Sequence, residues 1–368
     1  MTQIDKTATA IGEVASAHAD RHDLDGTFVA EGVEAARDLG YLAGPVPEDC
    51  GGIGASVADM VSGQRILGRA CGSTALACSM HVHLVLAAAW RWRRGDGVVE
   101  KLLRRVAGER IVLVSTGGND WSTPSAVATP VDGGWKVSGR KIFASLSPAA
   151  DMAVTFAAID GPGEGAEVIG FGLPLGAEGV RIEETWDAAG MRGTGSHDIV
   201  LEDVFVAEAQ VTARRTWGEL DRPLLVASLH AWPVIYATYL GIAEGLVDAA
   251  IARGKPGPDQ ARLLGEADLN LRAARWALDG VVRDVGDDPE PDLDNFVALQ
   301  QMKGVVTRAC QSVSTLAAEL GGGGAYAKRG PIDRMIRDLR AAPYHVYPPE
   351  VALRHAGQHR LGLPLTPV

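Results

Sequence analysis

Apolar positions change their period twice along the chain, and those changes predict three units: residues 1–110, 111–214 and 215–368. In the first, Val29–Leu39, Val57–Ala70, Thr74–Trp90 and Val98–Val106 carry apolar residues at helical spacing, with breaks at Gly40, Gly72 and Gly95-Asp96-Gly97. Between them, the stretch from Pro45 to Gly54 holds two prolines and three glycines with Asp49, turn chemistry that no helix crosses. From Ile111 the period shortens to that of strands. Ile111–Ser115, Val127–Val131, Trp135–Val137, Met152–Ala158, Val168–Leu173, Val180–Glu184 and Ile199–Val206 read as strands, Gly117-Gly118-Asn119-Asp120 as a loop and Asp132-Gly133-Gly134 as a hairpin turn. That spacing predicts a small antiparallel β-barrel or sandwich. After Arg214 the helical period returns. Ile235–Ile251 is apolar almost all round, and Ala261–Val285 and Leu293–Leu320 are long and rich in alanine and leucine, so a buried helical bundle closes the chain.

Composition narrows the function classes. A net charge of −11 argues against nucleic acid or an anionic membrane as a standing partner. The apolar stretches are expected to be broken by charges before they reach a bilayer span of ~20 residues, and no secretory signal is read at the start. Cys50, Cys71, Cys78 and Cys310 are scattered, without a C-x-x-C pair or metal-ligand spacing, so buried reduced thiols, a cytoplasmic location and no metal site are expected. His355 and His359 lie four apart on one helix face but lack a third ligand, and a solvated helix end is the simpler reading.

Several stretches carry chemistry. Phe143 and Ser145 are two apart, so on a strand both point to one face, an aromatic wall beside a hydroxyl. Gly321–Gly324 allows backbone amides to approach a pyrophosphate closely. His345 stands in the run Arg337 to Tyr347, and an imidazole donates or accepts protons at neutral pH. His81 and His83 project about 200° apart on a helix, so one of them at most faces a common pocket.

In order along the chain, Pro47-Glu48-Asp49-Cys50-Gly51-Gly52-Ile53-Gly54, Val137-Ser138-Gly139-Arg140-Lys141-Ile142-Phe143-Ala144-Ser145, Gly190-Met191-Arg192-Gly193-Thr194-Gly195-Ser196 and the glycine run with Arg337-Asp338 resemble motifs of the acyl-CoA dehydrogenase superfamily. The resemblance covers roughly residues 25–365. It implies an α+β fold: an N-terminal helical domain, a middle antiparallel β-barrel and a C-terminal four-helix bundle, assembled as a homotetramer. It also implies a flavin, FAD or FMN, contacted by Ser115, Thr116, Phe143, Ser145, Gly322, Gly323 and Arg337. Glu319 stands where the family has glutamine, Ala325 replaces a glycine, and Arg253-Gly254-Lys255-Pro256-Gly257 replaces the R-x-x-F clamp, so the adenosine grip is weakened and FMN or an exchanging reduced flavin is expected.

A dehydrogenase of this family needs a carboxylate to take the α-proton. Its two usual places correspond here to Val346 and about Ala231, neither of which accepts a proton. Beside Val346 stands His345, as in the superfamily's flavin monooxygenases similar to p-hydroxyphenylacetate hydroxylase and dibenzothiophene monooxygenase. The implied catalytic set is His345, Ser145 and His83, in preference to His81. The expected activity is oxygenation of a small organic substrate by reduced flavin and O2 through a flavin C4a-hydroperoxide. No G-x-G-x-x-G is present to bind a nicotinamide, so a separate reductase is expected to supply the reduced flavin. The alternatives are an acyl-CoA or acyl-carrier thioester dehydrogenase with a relocated base, for which Glu350 is the candidate, and a scaffold without catalysis.

Overall fold

The computed structural model describes residues 1–254, 257–328, 330–345 and 347–365. Helix α1 (Gln3–Asp25) starts on a capping box between Thr2 and Asp5 and stops at Gly26, whose φ of 68° is left-handed. It is followed by α2 (Ala30–Asp38), α3 (Val57–Ala70), α4 (Gly72–Arg93) and α5 (Glu100–Gly108). A second capping box, Ser56 with Asp59, sets the start of α3. Helix α4 is buried on nearly every side, from Gly72 to Trp90.

The middle of the chain forms β1 (Leu113–Ser115), a short helix α6 (Gly118–Ser122), then β2 (Val127–Val131), β3 (Gly134–Ala144), β4 (Met152–Ile159), β5 (Glu167–Pro174), β6 (Val180–Glu183), β7 (His197–Ala207) and β8 (Val211–Thr216). These strands make one mixed sheet in the order β6-β7-β3-β2-β4-β5-β8, with β1 on β4, and it is not a closed barrel. Its end strands, β6 and β8, do not pair with each other, and it is mixed rather than antiparallel because of β4. Its far edge pairs with β5, while its near edge is divided between β1 at Met152–Val154 and β2 at Ala158–Ile159, both parallel. Strand spacing predicts lengths; it does not predict which edges two strands share.

The chain then runs through α7 (Arg222–Arg253), α8 (Pro258–Val285), α9 (Leu293–Gly321), α10 (Pro331–Leu339) and α11 (Pro349–Arg360). Three long helices and two short ones make up the C-terminal helical part, and α7 packs on α3 and α4 as well as on α8 and α9. At the α3–α7 crossing the backbones nearly touch. A Cβ on Gly241 would lie 2.1 Å from the Arg65 carbonyl oxygen, and one on Gly68 would lie 2.3 Å from that of Thr238. Contrary to the sequence expectation, α4 and α7 are long and apolar enough to cross a membrane; 94% and 83% of their apolar windows are buried inside the fold.

Candidate functional site

The tip of β3 gathers the first group of expected residues. Gly117, just past β1, donates its N–H to the Ile142 carbonyl (3.2 Å), which brings Ser115 and Thr116 beside Phe143. Phe143 has a left-handed φ of 59° and leaves the strand's alternation. Its ring is 57% exposed and meets Trp186 edge-on at 6.1 Å, while Ser145 is buried. The two therefore do not share one strand face as their spacing predicts.

Ser145 Oγ lies 2.7 Å from Ser196 Oγ, which lies 2.6 Å from Thr194 Oγ1; Thr194 donates to the Met191 carbonyl at 2.9 Å. A carbonyl only accepts, so the protons run from Ser145 to Ser196 to Thr194, and the lone pairs of Ser145 remain to accept. Thr116 is engaged with Asp120 (2.6 Å), whose carboxylate also pairs with the buried Lys141 (2.7 Å), and Ser115 lies 3.6 Å from the sulfur of Met80. These fix the floor under the β3 tip.

The second group surrounds His345. Its Nε2 is 2.6 Å from the Tyr239 hydroxyl, and its ring leans on Tyr236 and Tyr239 of α7 at 6.3 and 5.4 Å. Burial raises the Tyr239 phenol well above its ordinary range, so the phenol keeps its proton and donates to Nε2. The imidazole proton then sits on Nδ1. Desolvation, with a smaller contribution from the Lys303 charge, lowers the His345 pKa to about 3. Lys303 of α9 is itself buried, which brings its pKa down to about 7. It donates to the His345 carbonyl (2.6 Å) and to that of Tyr347, and so holds the loop on both sides of position 346. Val346 lies outside the described residues, as do Lys255 and Pro256.

The third group lines the packing of α4 against α7. His81 is a structural residue: Nε2 lies 3.0 Å from the Leu42 carbonyl and Nδ1 accepts the Leu113 N–H at 2.9 Å. His83 is buried with neither ring nitrogen bonded, and stands edge-on to Trp121 of α6 at 6.4 Å. His230 of α7 places Nδ1 2.7 Å from the Val226 carbonyl and leaves Nε2 unpartnered.

Other expected residues are held elsewhere. The guanidinium of Arg337 is taken up by Asp23, Asp333 and the Ala189 carbonyl, which pins α10 to α1. Gly322 and Gly323 sit in open space at the end of α9, and Gly324 closes on Arg253; no described contact joins this run to Ser145. Glu350 is exposed on the first turn of α11. His355 is buried against Gln300 (3.0 Å) rather than solvated, and His359 pairs with Asp294. Among the described residues the buried carboxylates are all occupied: Asp5 by Ser62, Asp23 by Arg337, Glu244 by Arg65 and Arg275, and Asp338 by the Met191 N–H.

Of the groups a flavin ring requires, the β3 tip offers an aromatic pair, Phe143 with Trp186, and a serine hydroxyl free to accept, and the His345 loop offers a neutral imidazole; no described contact joins the two groups. His230, Tyr239 and Lys303 were not singled out from sequence. Lys303 left a signal, since it falls on the buried stripe Phe296, Val297, Gln300, Val306, Cys310 and Val313 of α9.

Models of the N-terminal, middle and C-terminal domains of the acyl-CoA dehydrogenases match residues 3–93, 115–204 and 234–348. The chain is 32% identical to "Putative acyl-CoA dehydrogenase YdbM" of Bacillus subtilis (strain 168), with 90% of each chain covered. It is 27% identical to the oxygenase subunit HsaA, a flavin-dependent monooxygenase of Rhodococcus jostii (strain RHA1), over 91% of this chain and 92% of the relative. The structure of KijD3 in complex with FMN and a dTDP-linked amino sugar superposes with a TM-score of 0.90 at 25% identity, covering 98% of this chain and 93% of that one.

Proposed function

Because the chain belongs to the acyl-CoA dehydrogenase superfamily yet has no free buried carboxylate among its described residues, we propose that it is a flavin-dependent monooxygenase acting on a small organic substrate. Bound reduced flavin, FMN or FAD, supplies two electrons to O2, so that one oxygen atom enters the substrate and the other leaves as water. Relatives named as flavin-dependent monooxygenases and hydroxylases support this reading. The observation that carries it is the state of His345, an imidazole kept neutral by burial with its proton on Nδ1.

The residues divide the work. Ser145, whose hydroxyl donates to Ser196, would hold a reduced flavin by accepting a hydrogen bond from its N–H edge. Phe143, with Trp186, backs the ring. His345 would donate a hydrogen bond from Nδ1–H to the oxygen species that the flavin holds, without giving up the proton, and Tyr239 fixes the tautomer that makes Nδ1 the donor. Tyr236, Tyr239 and Trp232 keep water from that proton. We assign the supply of reduced flavin to a separate reductase and the location to the cytoplasm. We also assign a homotetramer: α8 carries Leu269 and Trp276, seven apart and both 67% exposed, an apolar stripe suited to another copy, whereas most of the apolar side of α9 is already buried within the chain.

An anaerobic challenge tests the reading. The chain loaded with oxidised flavin and mixed with a series of acyl-CoA thioesters is expected to keep its flavin absorbance. Bleaching by any of them would establish a dehydrogenase instead.

A further inference from the structure

Two neutral histidines on facing helices leave three ring nitrogens without partners in one buried region. His83 and Trp90 are seven apart on α4 and so lie on one stripe of that helix, and Trp90 meets the His230 ring at 6.1 Å across the contact with α7. His83 and His230 are almost wholly buried, and each stands beside an indole, His83 beside Trp121 and His230 beside Trp90. Desolvation lowers the His83 pKa to about 3, with the charge of His230 the next largest cause, and lowers that of His230 to about 4.

The protonation of His230 follows from its partner. Val226 offers a carbonyl, which accepts only, so Nδ1 carries the hydrogen and Nε2 is a buried lone pair without a donor. A buried acceptor left unmatched is costly, and a hydrogen supplied by a ligand removes that cost. His83 adds one N–H and one lone pair.

We propose that His230 and His83 form the polar end of the substrate site and select an uncharged substrate whose polar atom carries a hydrogen, an O–H or N–H that donates to His230 Nε2 while the same atom accepts from His83. This inference rests on the monooxygenase reading for the word substrate; the binding chemistry itself does not. A charged ammonium is disfavoured: burial already keeps both rings neutral, and of the charges acting on His230 the Arg93 guanidinium, which opposes a cation, outweighs the Asp288 carboxylate. A ligand with the same shape and no donor leaves Nε2 unmatched.

The test is binding to the full chain without flavin or O2, so that it stands apart from whether the chain oxygenates anything. Phenol, anisole and toluene are titrated against tryptophan fluorescence, since Trp121 stands beside His83 and Trp90 beside His230. Phenol is expected to bind on the order of tenfold tighter than either donor-free ring, the size of one net hydrogen bond in a dry site. In His230→Leu that preference disappears while toluene affinity is kept, which also shows the region is intact; His230→Phe replaces it should the leucine variant fail to fold. Equal affinities in the wild type, binding of none of the three, or a phenol preference that survives in the variant would overturn the proposal.

Discussion

At the residue scale, the site is made of groups forced into their neutral forms by burial. His81, His83, His230 and His345 have pKa values lowered to about 4, 3, 4 and 3, chiefly by desolvation. Each binds a proton in the unfolded chain below its ordinary value near 6.5 but not in the folded one, so stability is lost as pH falls through that value. Asp338 has the opposite sign: burial raises it to about 6, so the folded state holds its proton first. Near pH 5 the unfolded chain therefore binds roughly three more protons than the folded one from these groups. The urea midpoint is expected to drop steadily from pH 7 to pH 5, and a midpoint that is flat or rises on acidification would contradict the burial of these rings. The same rings also show what a sequence leaves hidden. His345 was legible because it neighbours an empty catalytic position in a recognised motif. His230 was not, since nothing local records that its Nδ1 reaches back one turn to Val226 and leaves Nε2 facing inward.

At the element scale, α7 is the part on which the site depends, because it carries His230, Tyr236 and Tyr239 past both α4 and the His345 loop. Its position against α3 is set by backbone contact at Gly241 and Gly68. Gly241→Ala drives a methyl group into the Arg65 carbonyl and is expected to cost about 1–3 kcal/mol in denaturant unfolding, a size typical of overpacking. An unchanged midpoint would mean the two helices can separate freely. Here the sequence was readable wherever local chemistry decides. The helix predicted at Val57–Ala70 is the one found, since Ser56 and Asp59 cap it from within. Strand β8 was missed because Arg214 and Arg215 obscure its alternation, although Arg215 is buried and bonded to Asp221. Helix α6 was read as loop from its glycines; a tertiary ion pair, Asp120 with Lys141, holds it. The antiparallel-barrel expectation failed for a similar reason, since whether β6 and β8 pair, and how β4's edge is divided between β1 and β2, are long-range choices.

At the scale of the whole molecule, net charge and surface pattern say how copies meet. With −11 overall, association needs an apolar contact to outweigh repulsion. Leu269 and Trp276 on α8 provide one. Trp276→Glu is expected to lower the mass seen by sedimentation or light scattering without changing the helical circular dichroism, because the side chain is exposed within one chain. A variant of unchanged mass would move the interface elsewhere or leave the chain a monomer.

The claim on which these scales converge is that a dry imidazole at position 345, in place of a carboxylate, commits the site to oxygen. Rapid mixing of the protein–reduced flavin complex with O2, followed at the absorbance of oxidised flavin, tests it most directly. The account predicts a lag before oxidised flavin returns, shortened on the order of tenfold or more in His345→Ala, as expected on losing a positioned hydrogen-bond donor. Reoxidation without a lag in the wild type, or a lag that His345→Ala leaves untouched, would contradict it.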